Sequence, residues 1–232
     1  MNIAGLVKSS TVDFPGQLAA VIFTAGCNLD CFYCHNRLLL TGSAPRVEES
    51  EVMAFLNKRR GLLDGVVFSG GEPTLQPDLA DWIRRVRDLD FKIKLDTNGT
   101  RPEILNQLIS EKLLDYVAID CKAPWERYPE ICDCPDTDVE GIKQSLQILR
   151  DAGLPWEIRT TVIPQLNIKD LQEIIRQIPP PPRYFLQRYN RPAIYRPEDR
   201  FRIEAASYTP AQLVLLAEQL RKMKPEMEIQ VR

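Results

Sequence analysis

Cys27, Cys31 and Cys34 fall in one short stretch, Cys27-Asn28-Leu29-Asp30-Cys31-Phe32-Tyr33-Cys34-His35-Asn36, with three and then two residues between them. Thiolates at this spacing let a single loop wrap a small soft centre, and three protein ligands leave a fourth coordination position open. An iron–sulfur cluster is the favoured occupant. Zinc held by the three cysteines and His35 is the first alternative, although adjacent side chains such as Cys34 and His35 rarely converge on one tetrahedral ion. A loop of unligated thiols is the second. His35, the only histidine, is assigned no catalytic part. Cys121, Cys132 and Cys134 read as isolated thiols, because one residue between the last two is poor spacing for a shared centre.

Three further polar groups each follow an apolar run: Ser69-Gly70-Gly71-Glu72-Pro73, Asp96-Thr97-Asn98-Gly99 and Asp120-Cys121-Lys122. Paired glycines let a ligand approach the backbone, and Glu72 just beyond them can accept hydrogen bonds from an ammonium group. A tight turn would explain the glycines equally simply. Asn98-Gly99 is a frequent turn dipeptide, so a turn and a ligand contact by Asp96 weigh evenly. Asp120 and Lys122 alternate in a strand and share one side of the sheet, either facing the same site or forming an ion pair of little consequence.

The elements that must position these groups are legible. Apolar runs rich in Val, Ile and Phe predict strands at 18–24, 65–68, 91–95, 116–119, 156–162 and 183–187. They are too uniformly apolar for a half-exposed sheet, which predicts parallel strands in serial β/α units. Between them run helical stripes: Leu79, Trp82, Ile83, Val86 and Leu89, then Val139, Ile142, Leu146 and Leu149, then Leu171, Ile174, Ile175 and Ile178. A first helix opens near Glu49 or Ser50, and a last one covers 210–223 with Thr209 as N-cap and Pro210 in the first turn. The prolines at 179–182 end a helix, and 125–138 reads as an irregular excursion. Carboxyl ends of parallel strands lie on one face, where α/β folds place ligands.

A chain of 232 residues, 44% hydrophobic and 27% charged, predicts one domain with a core at about 18–190 and a helical extension at about 191–232. A net charge of -2 supplies no field toward nucleic acid or anionic lipid. No run approaches the ~20 apolar residues of a membrane span, and the first residues lack a signal-peptide core. A cytoplasmic location is expected, where clustered thiols read as ligands rather than disulfides.

The cysteine motif with Tyr33 before its last member, followed by Gly70-Gly71-Glu72-Pro73, resembles the radical S-adenosylmethionine superfamily. Thr11-Val12-Asp13-Phe14-Pro15-Gly16, Phe23 to Leu29, Cys34-His35-Asn36 and Asp96-Thr97-Asn98-Gly99 are similar to glycyl-radical-enzyme activases, in particular those of anaerobic ribonucleoside-triphosphate reductase. The resemblance implies a partial (β/α)6 barrel of mostly parallel strands. It implies that Cys27, Cys31 and Cys34 hold a [4Fe–4S] cluster whose fourth iron takes the amino and carboxylate groups of S-adenosylmethionine. Gly70, Gly71 and Glu72 would bind the methionyl amine, Tyr33 would lie near the adenine, and Asp96 would contact the ribose or a nearby cation. Asp120 and Lys122 would complete the methionine end. Ser69 and Asn98 join this cofactor-binding set, and Arg159 and Thr161 are weaker candidates.

The implied chemistry belongs to the cofactors. A reduced cluster gives one electron to the sulfonium, the S–C5′ bond breaks, and the 5′-deoxyadenosyl radical takes hydrogen from a glycine of a partner enzyme, with no side-chain acid or base. The implied partners are a glycyl-radical enzyme, foremost anaerobic ribonucleotide reductase, and a flavodoxin- or ferredoxin-type electron donor. The alternatives are an activase of pyruvate formate-lyase, a radical enzyme acting on a small molecule, and a zinc-stabilised binding module without catalysis.

Overall fold

The computed structural model describes residues 1–40 and 43–232. They fall into two compact units, one of residues 1–28, 38–97 and 101–118, the other of residues 29–37, 98–100 and 119–232.

The first unit is built on β1 (Ile3–Ser10), β2 (Ala19–Thr24), β3 (Gly65–Gly70) and β4 (Lys92–Thr97). β1 runs antiparallel to β2, whereas β2 with β3 and β3 with β4 are parallel. Four successive short helices accompany them: α1 (Arg37–Leu40), α2 (Glu49–Lys58), α3 (Leu79–Arg87) and α4 (Pro102–Ser110). Leu79, Trp82, Ile83 and Val86 of α3 are buried as their spacing predicts. β3 and β4 each continue two residues past the apolar run, so Ser69, Gly70, Asp96 and Thr97 are strand residues rather than the loops that follow.

β1 and α4 were not among the expected elements. β1 has Gly5, a pair of serines and a partly exposed Val7 and Lys8 in place of an apolar run, as a sheet edge permits. Phe14, from the Thr11–Gly16 motif, is packed in the core against Ala19, Val21 and Val67, with its ring centroid 6.0 Å from that of Tyr116. A Cβ on Gly65 would lie 2.9 Å from the Phe14 ring and 2.8 Å from the Lys92 carbonyl oxygen. Ala19, Gly65 and Lys92 begin their strands, so this motif closes the amino ends, opposite the polar groups.

β5 (Tyr116–Asp120) carries the chain into the second unit. There follow α5 (Tyr128–Ile131), α6 (Val139–Asp151), β6 (Trp156–Val162), α7 (Ile168–Gln177), β7 (Tyr184–Arg188), α8 (Arg200–Ile203), α9 (Pro210–Met223) and β8 (Ile229–Val231). β7 pairs in parallel with both β6 and β8. The segment at 191–232, expected to be helical, therefore also contributes a strand. Thr209 caps α9 in a reciprocal box with Gln212, as Thr209-Pro210 predicts. The Tyr184 hydroxyl donates to Thr160 Oγ1 at 2.8 Å, and Thr160 Oγ1 donates to the Cys121 carbonyl at 2.6 Å, satisfying buried groups beneath the polar strand ends.

The result is the α/β class expected, with mostly parallel strands alternating with helices. No helix among the described residues is long and apolar enough to cross a membrane. Because Phe14 is buried at the strand starts, Phe14→Ala should cost about 3–5 kcal/mol by urea unfolding. A loss below about 1 kcal/mol would show that the motif does not close that end.

Candidate functional site

In the first unit, β2 delivers the chain through Gly26, at φ +87°, to Cys27. Gly71 N donates to Thr24 O at 2.9 Å and Glu72 N donates to Gly26 O at 2.8 Å. A Cβ on Gly71 would stand 2.0 Å from Gly26 O, and one on Gly70, at φ +118°, would stand 2.4 Å from Thr24 N. The glycine pair is thus required by the protein's own backbone, which seats the Cys27 turn directly on the start of Glu72.

Glu72 is buried, and its Oε1 accepts from Thr74 N at 3.1 Å, Thr74 Oγ1 at 2.6 Å and Thr97 Oγ1 at 2.7 Å. These bonds fix the carboxylate's position. Asp96 is buried beside Lys94, whose ammonium hydrogen-bonds Asp96 Oδ1 and lies 6.0 Å from the Tyr116 ring centroid. Lys94, which the sequence reading passed over, is the cation beside Asp96. Its only signal is a lysine at the inward phase of the apolar run Ile93-Lys94-Leu95.

In the second unit, Cys31, Phe32 and Tyr33 are buried and Cys34 is half-buried. Cys34 N donates to Cys31 O at 3.0 Å, closing a turn, and Arg37 reaches Cys31 O at 3.4 Å and Asp30 Oδ1 at 2.6 Å. The segment at 191–232, in which no motif was legible, supplies the rest. Arg196 donates to Asp30 Oδ2 at 3.0 Å and Asp199 Oδ2 at 2.6 Å and also pairs with Asp133; Arg202 donates to Asp133 Oδ2 at 2.8 Å and pairs with Asp199. The Arg202 guanidinium lies 4.0 Å from the Phe32 ring centroid. His35 is exposed.

Asp120 accepts from Arg159 Nε at 2.9 Å and from Lys122 Nζ at 3.3 Å. Burial opposes its charge, but the Arg159 guanidinium and then the Lys122 ammonium outweigh burial and hold the carboxyl down at about 2. Burial likewise works against the Lys122 charge, and Asp120 reverses the effect and holds Lys122 well above its ordinary value. The trio carries one positive charge in excess. Asp120 is its central member, and Arg159, a weaker candidate from sequence, is the nearer of its two cations. Asn98 Oδ1 accepts from Thr100 N at 3.0 Å and Thr100 Oγ1 at 2.7 Å, and Gly99 takes φ +78° with its oxygen receiving Ser145 Oγ at 2.6 Å, which orders the chain at this point.

The neighbouring Cys132 side chain and burial raise the Cys31 thiol well above its ordinary pKa. Burial pushes Cys121 up to about 12, which makes it inert. Among the described residues, no three His, Cys, Asp or Glu side chains are arranged to hold a metal ion. Cys27, Cys31 and Cys34 form no disulfide, and the donor chemistry of three thiols fits an iron–sulfur centre.

Residues 21–178 match the model of the Radical SAM superfamily. The chain belongs to this superfamily. Radical SAM enzymes use a [4Fe–4S] cluster and S-adenosylmethionine. A proposed glycyl-radical enzyme activating enzyme of Methanocaldococcus jannaschii is 35% identical over 81% of this chain and 79% of its own. A proposed GTP 3′,8-cyclase of Pyrococcus abyssi is 31% identical over 67% of this chain and 51% of its own. The crystal structure of Streptococcus suis SuiB bound to S-adenosylmethionine superposes with a TM-score of 0.66 at 16% identity, covering 89% of this chain and 48% of that one. The radical SAM chain thus spans about half the length of the last two, and SuiB shows the fold.

Two outcomes follow from this geometry. Gly71→Ala should cost about 1–3 kcal/mol or more by overpacking and lower iron uptake on anaerobic reconstitution; unchanged stability and iron would refute the backbone contact. Asp120 has a folded pKa of about 2 against ~3.9 unfolded, so its stabilising effect is complete above about pH 4 and is lost as pH falls through 2. Asp120→Asn should be less stable at pH 7 and lose less on acidification across that window. An equally steep acid loss in the variant would count against the pairing.

Proposed function

We propose that this radical SAM enzyme is a glycyl-radical-enzyme activase whose partner is anaerobic ribonucleoside-triphosphate reductase. The observation that carries the reading is the likeness to the M. jannaschii activating enzyme, which extends over four-fifths of both chains, whereas the cyclase likeness covers half of that protein. The strand-end residues support it. Cys27, Cys31 and Cys34 would hold the cluster and leave one iron open for S-adenosylmethionine. When bound, the cluster supplies the electron that breaks the sulfonium S–C5′ bond, so that the deoxyadenosyl group can take hydrogen from a glycine of the partner.

The chain's own residues bind and orient. Glu72, already fixed by Thr74 and Thr97, is suited to accept the methionyl ammonium, with Ser69, Gly70 and Gly71 shaping the backbone beside it. Lys122 and Arg159 bring positive charge suited to a carboxylate, with Asp120 setting their positions. Asp96, held by Lys94, and Asn98 are suited to ribose hydroxyls, and the buried Tyr33 to the adenine. None of these groups need give or take a proton in the hydrogen-abstraction step. A flavodoxin- or ferredoxin-type protein would supply the electron.

Anaerobic reconstitution should give about four irons per chain, reductive release of 5′-deoxyadenosine and, on mixing with the reductase, a glycyl-radical resonance. Glu72→Gln should weaken S-adenosylmethionine binding about 10- to 100-fold, the worth of one charge-assisted hydrogen bond. Cleavage without a radical on any glycyl-radical enzyme would favour a small-molecule substrate, the reading to which the cyclase likeness points. Stoichiometric zinc with no visible chromophore would overturn both.

A further inference from the structure

Lys94 and Asp96 stand two residues apart on β4 and so project to the same face of the sheet. Lys94 is 1% exposed, one of the largest side chains fully removed from solvent, and its ammonium hydrogen-bonds Asp96 Oδ1. The ring centroid of Tyr116, the first residue of β5, lies 6.0 Å from Lys94 Nζ. All three residues belong to the first unit. An ammonium held between a carboxylate and a ring face is costly to desolvate, and an apolar side chain of the same length would fill its space as stably once the carboxylate were also gone. Packing alone does not account for it.

A carboxylate taken out of water needs a counter-charge, from a side chain or from a bound ion. The sequence leaves two readings of Asp96 open, a contact to the ribose and a contact to a cation. Lys94 answers the second from within the chain: its ammonium is a compact point charge, carried by the same strand and therefore in place without any ligand. We propose that Lys94 is the built-in counter-cation of Asp96, which fixes the carboxylate for the ribose hydroxyls of S-adenosylmethionine and fills the place an inorganic monovalent cation would otherwise take. The inference rests on the reading of Asp96 as a ribose contact and is independent of which partner the enzyme activates. Lys94 is on this account a positioning residue that acts through Asp96.

The test measures S-adenosylmethionine binding to the anaerobically reconstituted chain by equilibrium dialysis, with sodium, potassium or tetramethylammonium as the sole monovalent cation at equal ionic strength. The wild type should bind equally in all three, and a requirement for sodium or potassium would overturn the proposal. Lys94→Met keeps the length without the charge and should bind about 10- to 100-fold more weakly at unchanged iron content. A general structural role is separated by a cycle with Asp96→Asn: adding Lys94→Met to that variant should weaken binding little further, whereas losses that multiply would mean that Lys94 does not act through Asp96. Urea unfolding of the cluster-free chain checks the pair itself. Lys94→Met should lower the midpoint and Asp96→Asn in the same chain should restore part of it; losses that simply add would show that the ammonium does not answer this carboxylate. Should Lys94→Met alone fail to fold, the double variant strands no carboxylate and is compared with Asp96→Asn by the same dialysis, beside the wild-type cation series. Asp96→Asn binding like the wild type would remove the ribose reading and this inference with it, while a loss in Asp96→Asn with none in Lys94→Met would overturn this inference alone.

Discussion

Gly26 O receives the amide of Glu72 at 2.8 Å while the α-carbon of Gly71 passes so close that any Cβ there would fall 2.0 Å from the same oxygen. Much of the first unit's polar end depends on this approach of two backbones. It continues the parallel β2–β3 pairing past Thr24 and Gly70, so that the residue before Cys27 and the residue before Glu72 are in contact. Neither can move without the other. Gly70 makes the same demand one residue earlier through its φ of +118°. The glycines thus join a soft-ligand segment to a fixed carboxylate, and the geometry is set before any ligand arrives.

Buried charge imposes the next constraint. Lys94 and Asp96 lie on one strand face, and Asp120 binds both Lys122 and Arg159. Removing one member of such a pair would strand its partner at a cost of about 3–5 kcal/mol. Hydrophobic residues would fill this space as stably, so these charges point to a role beyond folding. The trio of Asp120, Lys122 and Arg159 keeps a single excess positive charge.

The strands were legible because parallel, buried strands are uniformly apolar, and the C-terminal helix because Thr209 and Pro210 announce its start. β1 was not, since an edge strand with Gly5 and two serines carries no periodic signal. The three cysteines stood out by spacing alone. Glu72 and Asp120 were visible as carboxylates after strands, but their partners were not: Thr97 reaches Glu72 from another strand, and Arg159 reaches Asp120 from β6. Lys94 was hidden because a lysine inside an apolar run looks like an exposed position. The glycine pair was read as a tight turn or as space for a ligand, and the close approach of Gly26 O to Gly71 was not legible because it comes from a distant segment of the chain.

The least legible part is the order of the cysteine loop itself. Within residues 29–37, Cys34 N bonds Cys31 O and Arg37 bonds Asp30 and Cys31 O; local bonds of this kind do not by themselves offset the entropy of fixing so many backbone angles. The remaining restraint comes from distant sequence: Arg196 on Asp30, Arg202 on Phe32, and Cys132 O on Asp30 N. Asp30, Asp133 and Asp199 are matched by Arg37, Arg196 and Arg202, so the network closes without stranded charge. Asp199 is 1% exposed, which lets its pairs act at lower effective dielectric than surface bridges. A loop that must present thiols in a fixed arrangement therefore takes its rigidity from the chain's last forty residues or so and from α5, and the region that showed no motif is a structural condition for the motif that did.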